Sequence, residues 1–289
     1  MIDRYVIRVM SPADIGTAVE WAAAEGWNPG AQDAACFSAQ DPNGFIGGYV
    51  GDRMVASISV VAYDPSFAFL GFYIVHPEWR GQGLGYTLWQ AGMSYAGARN
   101  VGLDGVVAEQ ENYKRSGFQL AYRNIRFGGR VRTQNAVKAS GVSVLPVTGV
   151  TRELIDFDRR LFPAQRTDFL DAWLTADGHI ARIAVRDGEI VGIGVARPCR
   201  SGWKIGQLFA VEPAVADALM AVLLEAIGSV AMAPEVELYL DVPEPNAQAI
   251  GLAEGLGLTP GFETARMYTG RAPGLDLNQI FGVTSFELG

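Results

Sequence analysis

Cysteine and histidine are almost missing from this chain, at two residues each in 289. All four lie far apart, which excludes a disulfide framework and a metal cluster of the usual ligand spacing. Lysine is scarce as well: Lys114, Lys138 and Lys204 are the only three among 23 basic residues. Against 31 acidic residues and a formal net charge of −8, no clustered basic surface remains to hold nucleic acid or an anionic membrane. A long apolar run is also lacking. The most apolar region, 216–234, is interrupted by Asp217 and Glu225, so no membrane span is expected. Charged Asp3 and Arg4 follow the first two residues at once, unlike a signal peptide, and a soluble cytoplasmic protein is the expectation.

What is present is an ordinary globular composition, 49% hydrophobic and 19% charged. The length suits two domains of roughly 150 residues, each able to bury a core. Charge is uneven. Residues 1–133 carry 11 basic and 12 acidic side chains, a net of −1, whereas 134–289 carry 12 and 19, a net of −7.

The pattern of elements repeats. Ser11 caps a predicted helix with Pro12 at its first position, and a second short helix starts near Asp33. Strand-like runs at 44–50 and 54–63 flank the turn Gly51-Asp52-Arg53. A third run, 67–75, is aromatic and without alternation, which predicts burial on both faces. A helix over 84–99, a strand at 101–107, a helical turn at 112–116 and a strand at 118–127 complete the first half. Beyond 132–144, which has no apolar period, helices at 151–162 and 168–173 lead into strands at 180–186, 190–196 and 206–211. A helix over 214–230, a strand at 236–242, a helix over 246–256 and a strand at 262–269 follow. One fold laid down twice accounts for this order.

The chemistry concentrates in Gly71-Phe72-Tyr73-Ile74-Val75-His76-Pro77-Glu78-Trp79-Arg80-Gly81-Gln82-Gly83-Leu84-Gly85-Tyr86. A buried strand enters a loop with glycines on alternate positions and then a helix, so backbone N–H groups and the helix dipole form an anion site, with Arg80 adding a cation. Leu84-Gly85-Tyr86 replaces the Gly-Lys-Ser/Thr of a P-loop. A dinucleotide fingerprint wants glycine where Tyr86 stands, although Asp104 could pass for its ribose-binding acid.

Arg80-x-x-Gly83-x-Gly85 at such a turn resembles the acyl-CoA signature of the GNAT (Gcn-five-related N-acetyltransferase) superfamily, and the resemblance covers residues 1 to about 130. It implies an α/β (mixed α+β) fold of tandem GNAT-like domains, each a mixed, mostly antiparallel sheet flanked by helices. Residues 1–131 would be the catalytic domain, 132–144 a linker and 145–289 a degenerate GNAT-like domain. By the same resemblance, Ile74 and Val75 would offer backbone groups to the pantetheine arm. Arg80, Gly81, Gln82, Gly83, Leu84, Gly85 and Tyr86 would hold the pyrophosphate, with Asn112 beside the pantetheine. Acetyl-CoA is then the co-substrate, no metal is required, and a small-molecule or peptide amine accepts the acetyl group directly. Tyr113, in the Tyr-x-x-x-Gly-Phe spacing, would protonate the leaving thiolate or hydrogen-bond the developing anion.

No carboxylate lies on the strand 69–74, so Glu109, Glu111 and His76 are the base candidates, beside a water relay. Trp27, Asn28 and Phe37 fall where an acceptor pocket is expected, and Asp241 could face the same cleft. In the second copy, Val211-Glu212-Pro213-Ala214 replaces the glycine loop and Glu212 and Asp217 would repel phosphate; Asn246 is kept but Ala253 stands for Tyr113. The apolar stretch 280–288 is expected to dock as a strand, wrap a domain or pair with another subunit. Cys36 and Cys199 read as small buried hydrophobes. A non-catalytic acyl-CoA sensor is the alternative to an enzyme, a dinucleotide binder a weaker one, and a monomer or homodimer are both open.

Overall fold

The structure is a computed structural model and describes residues 5–133 and 141–289. The first half runs β1 (Tyr5–Val9), α1 (Pro12–Ala24), α2 (Asp33–Gln40), β2 (Phe45–Val50), β3 (Arg53–Ala62), β4 (Phe67–Val75), α3 (Leu84–Ala96), β5 (Asn100–Val106), α4 (Gln110–Arg115) and β6 (Gln119–Arg132). The second half runs β7 (Ser143–Pro146), α5 (Arg152–Arg159), α6 (Thr167–Thr175), β8 (Ile180–Arg186), β9 (Glu189–Pro198), β10 (Trp203–Ala210), α7 (Pro213–Ala231), β11 (Glu235–Pro243), α8 (Ala247–Gly255), β12 (Thr259–Tyr268) and β13 (Ile280–Gly282).

The local signals act as anticipated. Ser11 closes a capping box with Asp14, and Pro12 sits at the start of α1. The Gly51-Asp52 turn joins β2 to β3 in antiparallel register. Of the segment 132–144 expected to be a linker, 134–140 lie outside the described residues; Arg132 ends β6, while Ser143 and Val144 belong to β7, a strand with no alternation strong enough to announce it.

The sheet is mostly antiparallel and continuous through both halves, in the order β1-β2-β3-β4-β5-β12-β6-β11-β10-β9-β8-β7. Its centre shows how the halves are joined. β12 enters between β5 and β6, and β6 pairs β11, so each half receives its closing strand from the other. Such an interface replaces two sheet edges with ladder hydrogen bonds, which no domain-by-domain reading of periodicity can reveal.

α7 corrects the estimate of a broken apolar run. It is long and apolar enough to cross a bilayer by length and composition. Val215, Leu219, Leu223, Leu224 and Ile227 are nevertheless buried, and the helix packs on β8, β9 and β10 as a core helix.

In each half, one parallel pair opens partway along. β4 pairs β5 only from Phe67 to Leu70, and β10 pairs β11 only from Trp203 to Ile205. Beyond those points the strands diverge. A register shift in the β3–β4 pairing bulges β4 near Phe72, whose φ is +47°, and Ser57 Oγ donates to the Phe72 carbonyl at 2.8 Å.

Candidate active site

A cavity of about 1040 Å³ occupies the opening between β4 and β5. Its lining includes Ile74, Val75, Arg80, Tyr86, Asn112 and Tyr113, and also Trp27, Phe72, Phe262, Phe286 and Glu287. Residues expected at the cofactor and residues expected at the acceptor therefore line one cavity.

The glycine loop before α3 has the conformation its composition requires. Gly81 and Gly83 have φ of +75° and +80°, a region costly for side chains with a Cβ, and Gly83 is the N-cap of α3. No side chain caps that terminus, so its first N–H groups are available to an anion. Gly85 brings α3 close to β4: a Cβ there would meet Val75 Cγ2 at 2.7 Å. Leu84 turns inward and is buried, whereas Tyr86 is exposed at the mouth. Gln82 Nε2 donates to the Glu78 carbonyl at 3.3 Å. Arg80 is held in place, donating through Nε to the Val75 carbonyl at 2.9 Å and pairing through Nη2 with Glu25, which also lines the cavity, at 2.5 Å. Diphosphate geometry fits this set: an uncapped helix terminus, a left-handed glycine loop and one fixed guanidinium.

Tyr113 is mostly buried beside Trp89, with ring centroids 5.8 Å apart. Burial, reinforced by Glu109 and Tyr73, pushes its phenol up to about 12, so it carries its proton at neutral pH. Asn112 reaches the same wall, but its Nδ2 donates to Glu109 Oε2 at 2.5 Å and its Oδ1 accepts from Arg115 at 3.3 Å. The base candidates separate. Glu109 lines the cavity, Glu111 is fully exposed and paired with Lys114 at 2.7 Å, and His76 stacks edge-on against Trp21 at 5.7 Å.

Residues 14–118 match the Acetyltransferase (GNAT) family, and residues 154–282 match an Acetyltransferase (GNAT) domain. A holothin acyltransferase of Pseudoalteromonas sp. is 33% identical over 271 residues, which span 93% of this chain and 90% of that protein. The chain belongs to the GNAT family. It is an acyltransferase carrying a second GNAT-like domain. Crystal structures agree on the fold. A candidate acetyltransferase from Pyrococcus horikoshii superposes with a TM-score of 0.78 at 20% identity, covering 99% of this chain and 96% of its own. A tandem GNAT protein from the clavulanic acid biosynthesis pathway gives 0.63 at 17% identity, covering 93% and 100%.

The acceptor side of this GNAT protein differs from expectation. Trp27 does line the cavity, 6.5 Å from Phe72. Phe37 does not: it is fully buried and stacks on Trp173 at 5.9 Å, because α2 packs against α6 of the other half. Asn28 is also elsewhere, its amide exchanging hydrogen bonds of 2.9 Å with the backbone of Ser201. Asp241 is held by Arg126 in a buried two-pronged pair of 2.6 and 2.7 Å, which keeps its carboxyl well below the ordinary range despite burial. Asp104 is likewise occupied, by Arg266 and by Asn124 Nδ2 at 2.8 Å, so it is no ribose ligand.

Phe262, Phe286 and Glu287 were missed by sequence reasoning. They reach the site through β12 and the tail, which pass into the first half from the second. The signal available was the apolar tail 280–288, broken by Glu287 alone among charged residues.

The GNAT-like second half has its own opening covered. β13 pairs antiparallel with β10 at Leu208 and Phe209, beyond the parallel stretch. Asn246 caps α8 and donates to the carbonyls of Leu277 and Ile280 at 3.0 and 2.9 Å, holding that segment in place. Glu212 pairs with Arg186 at 2.5 Å directly before α7.

Proposed function

We propose that this protein transfers an acetyl group from acetyl-CoA directly to the amine of a small molecule, using the first half alone for the thioester. The observation that carries this reading is a single cavity lined by Arg80 and Tyr86, by Tyr113, and by the aromatic side chains of Trp27, Phe72, Phe262 and Phe286. The thioester supplies an activated carbonyl; the chain's own groups do the rest. Backbone groups of Ile74 and Val75 on the open edge of β4 extend the sheet to the pantetheine arm, and the loop with Arg80 neutralises the diphosphate.

Tyr113 donates its proton to the departing sulfur, a task suited to a phenol kept neutral by burial. Direct transfer fits the thiols. Burial pushes Cys36 up to about 12 and raises Cys199, so neither is an available nucleophile for an acyl-enzyme.

The chamber favours a compact amine. Its aromatic walls Trp27, Phe72, Phe262 and Phe286 suit a flat or apolar body. The relative named for holothin makes that compound the first acceptor to try. Purified protein incubated with acetyl-CoA, holothin and a panel of amines should release free thiol and the N-acetyl product. Binding of acetyl-CoA without turnover of any acceptor would favour an acyl-CoA sensor instead.

A further inference from the structure

The tail places an acid where the strand has none. Immediately after its parallel pairing with β5, β4 carries Gly71, and an ideal Cβ there would lie 2.3 Å from the carbonyl oxygen of Glu287. A side chain at 71 and the tail could not coexist. The second half repeats the device: Gly206 directly follows the parallel stretch of β10, and its Cβ would lie 2.6 Å from the Thr284 carbonyl. One segment thus threads both openings. Beyond Glu287, the Tyr63 hydroxyl donates to the Leu288 carbonyl at 2.9 Å and anchors the segment.

Glu287 is 4% exposed, lines the same cavity as Tyr113, and its Oε2 has no hydrogen-bond partner. Among the described residues it enters no salt bridge, whereas Asp33, Asp104 and Asp241 each have an arginine. A buried carboxylate left unpaired is costly and calls for a functional explanation.

We propose that Glu287 is the general base of this acyltransferase, taking the acceptor's proton on its carboxylate, with its backbone packed into the space that Gly71 leaves on β4. This rests on the acyl-transfer reading. The amine lone pair attacks the thioester carbonyl carbon and forms the C–N bond, and the N–H proton passes to Glu287. As the carbonyl re-forms, the C–S bond breaks and sulfur takes the proton of Tyr113. Glu287 then returns its proton through solvent to the Tyr113 phenolate, leaving amide and thiol as the only products. Burial raises the Glu287 carboxyl above its ordinary value; Lys204 on β10, Arg126 on β6 and Arg197 on β9 oppose that rise, and Asp33 on α2 adds to it. Asp104 on β5 and Arg266 on β12 neutralise one another nearby.

The test measures thiol release against pH with acetyl-CoA and an aromatic amine carrying an electron-withdrawing ring substituent, whose conjugate acid ionises well below the carboxylate range and so stays out of the profile. Wild-type kcat should fall on the acidic side with an apparent pKa above the usual carboxylate value of about 4.3. Glu287→Gln should lose about 100-fold in kcat together with that limb, while KM for acetyl-CoA changes less than about threefold. Glu287→Asp should recover part of the rate and the limb. Wild-type kcat and pH dependence in Glu287→Gln overturn the proposal, with the acyl-transfer reading intact. If Glu287→Gln does not fold, a wild-type profile without the acidic limb overturns it equally. Failure of the wild-type protein to acetylate any amine overturns both.

Discussion

Arg266 of β12 grips Asp104 of β5 through two hydrogen bonds of 2.8 and 2.6 Å, with both side chains buried where a strand from one half pairs a strand from the other. The Asp104 carboxylate holds the guanidinium protonated, raising the Arg266 pKa against its burial. Removing one member strands the other charge, which costs about 3 kcal/mol or more, whereas replacing both costs far less. Arg266→Met should therefore lower unfolding stability by about that amount, and Asp104→Asn with Arg266→Met should recover much of it. Chemical denaturation of the two singles and the double checks this.

The proposed function gives Arg80 a part in holding the cofactor and none in the chemistry. Arg80→Ala removes one charge-assisted contact to diphosphate and frees Glu25, a carboxylate that then faces the site unpaired. KM for acetyl-CoA should rise about tenfold or more, equivalent to about 1.4 kcal/mol, with kcat little changed. Steady-state kinetics with varied acetyl-CoA reads the split.

Tyr113→Phe keeps the ring that packs on Trp89 and deletes only the proton donor. A loss of about 100-fold in kcat is expected, with KM values nearly unchanged. Undiminished thiol release in this variant would take Tyr113 out of the mechanism.

Acid stability should report His179. Its Nδ1 lies 2.8 Å from the Trp173 carbonyl, its ring packs edge-on against Trp173, and its Nε2 is buried without a partner. Burial, with Arg197 nearby, lowers its pKa from 6.5 to about 4, so the unfolded chain binds a proton that the folded one refuses. That stability is fully present above pH 6.5 and is lost as pH falls towards 4. The melting temperature should drop across this window, and the drop should shrink in His179→Gln.

Burying an ionised Glu287 costs stability at neutral pH, the opposite sign to a salt-bridged acid. Glu287→Gln should melt at the same temperature as wild type or higher at pH 8, and that advantage should fade at lower pH as the native carboxyl takes up its proton. Thermal melts across pH measure the difference; a strong loss of stability at pH 8 would mean that the carboxylate is held by its cationic neighbours.

Near-neighbour chemistry was legible in the residues alone. Ser11-Pro12 starts α1, the 51–52 turn closes a hairpin, and left-handed glycines at 81 and 83 open α3, because each depends on contacts within a few positions. The loss of the glycine loop before α7 is legible in the same short-range way. Folding in three dimensions added what sequence separation hides. Asp104 and Arg266 stand 162 positions apart, Arg126 and Asp241 115, and Tyr63 and Leu288 225. Strand pairing carries no signature of which half supplies the partner, so the exchange of β6 and β12 could not be read from alternation. That exchange, with the tail lying against Gly71, left Asn28 and Phe37 out of the cavity and brought Phe262, Phe286 and Glu287 to it. The acid missing from β4 was present all along, at the far end of the chain, and only backbone packing against a residue without a side chain brought it home.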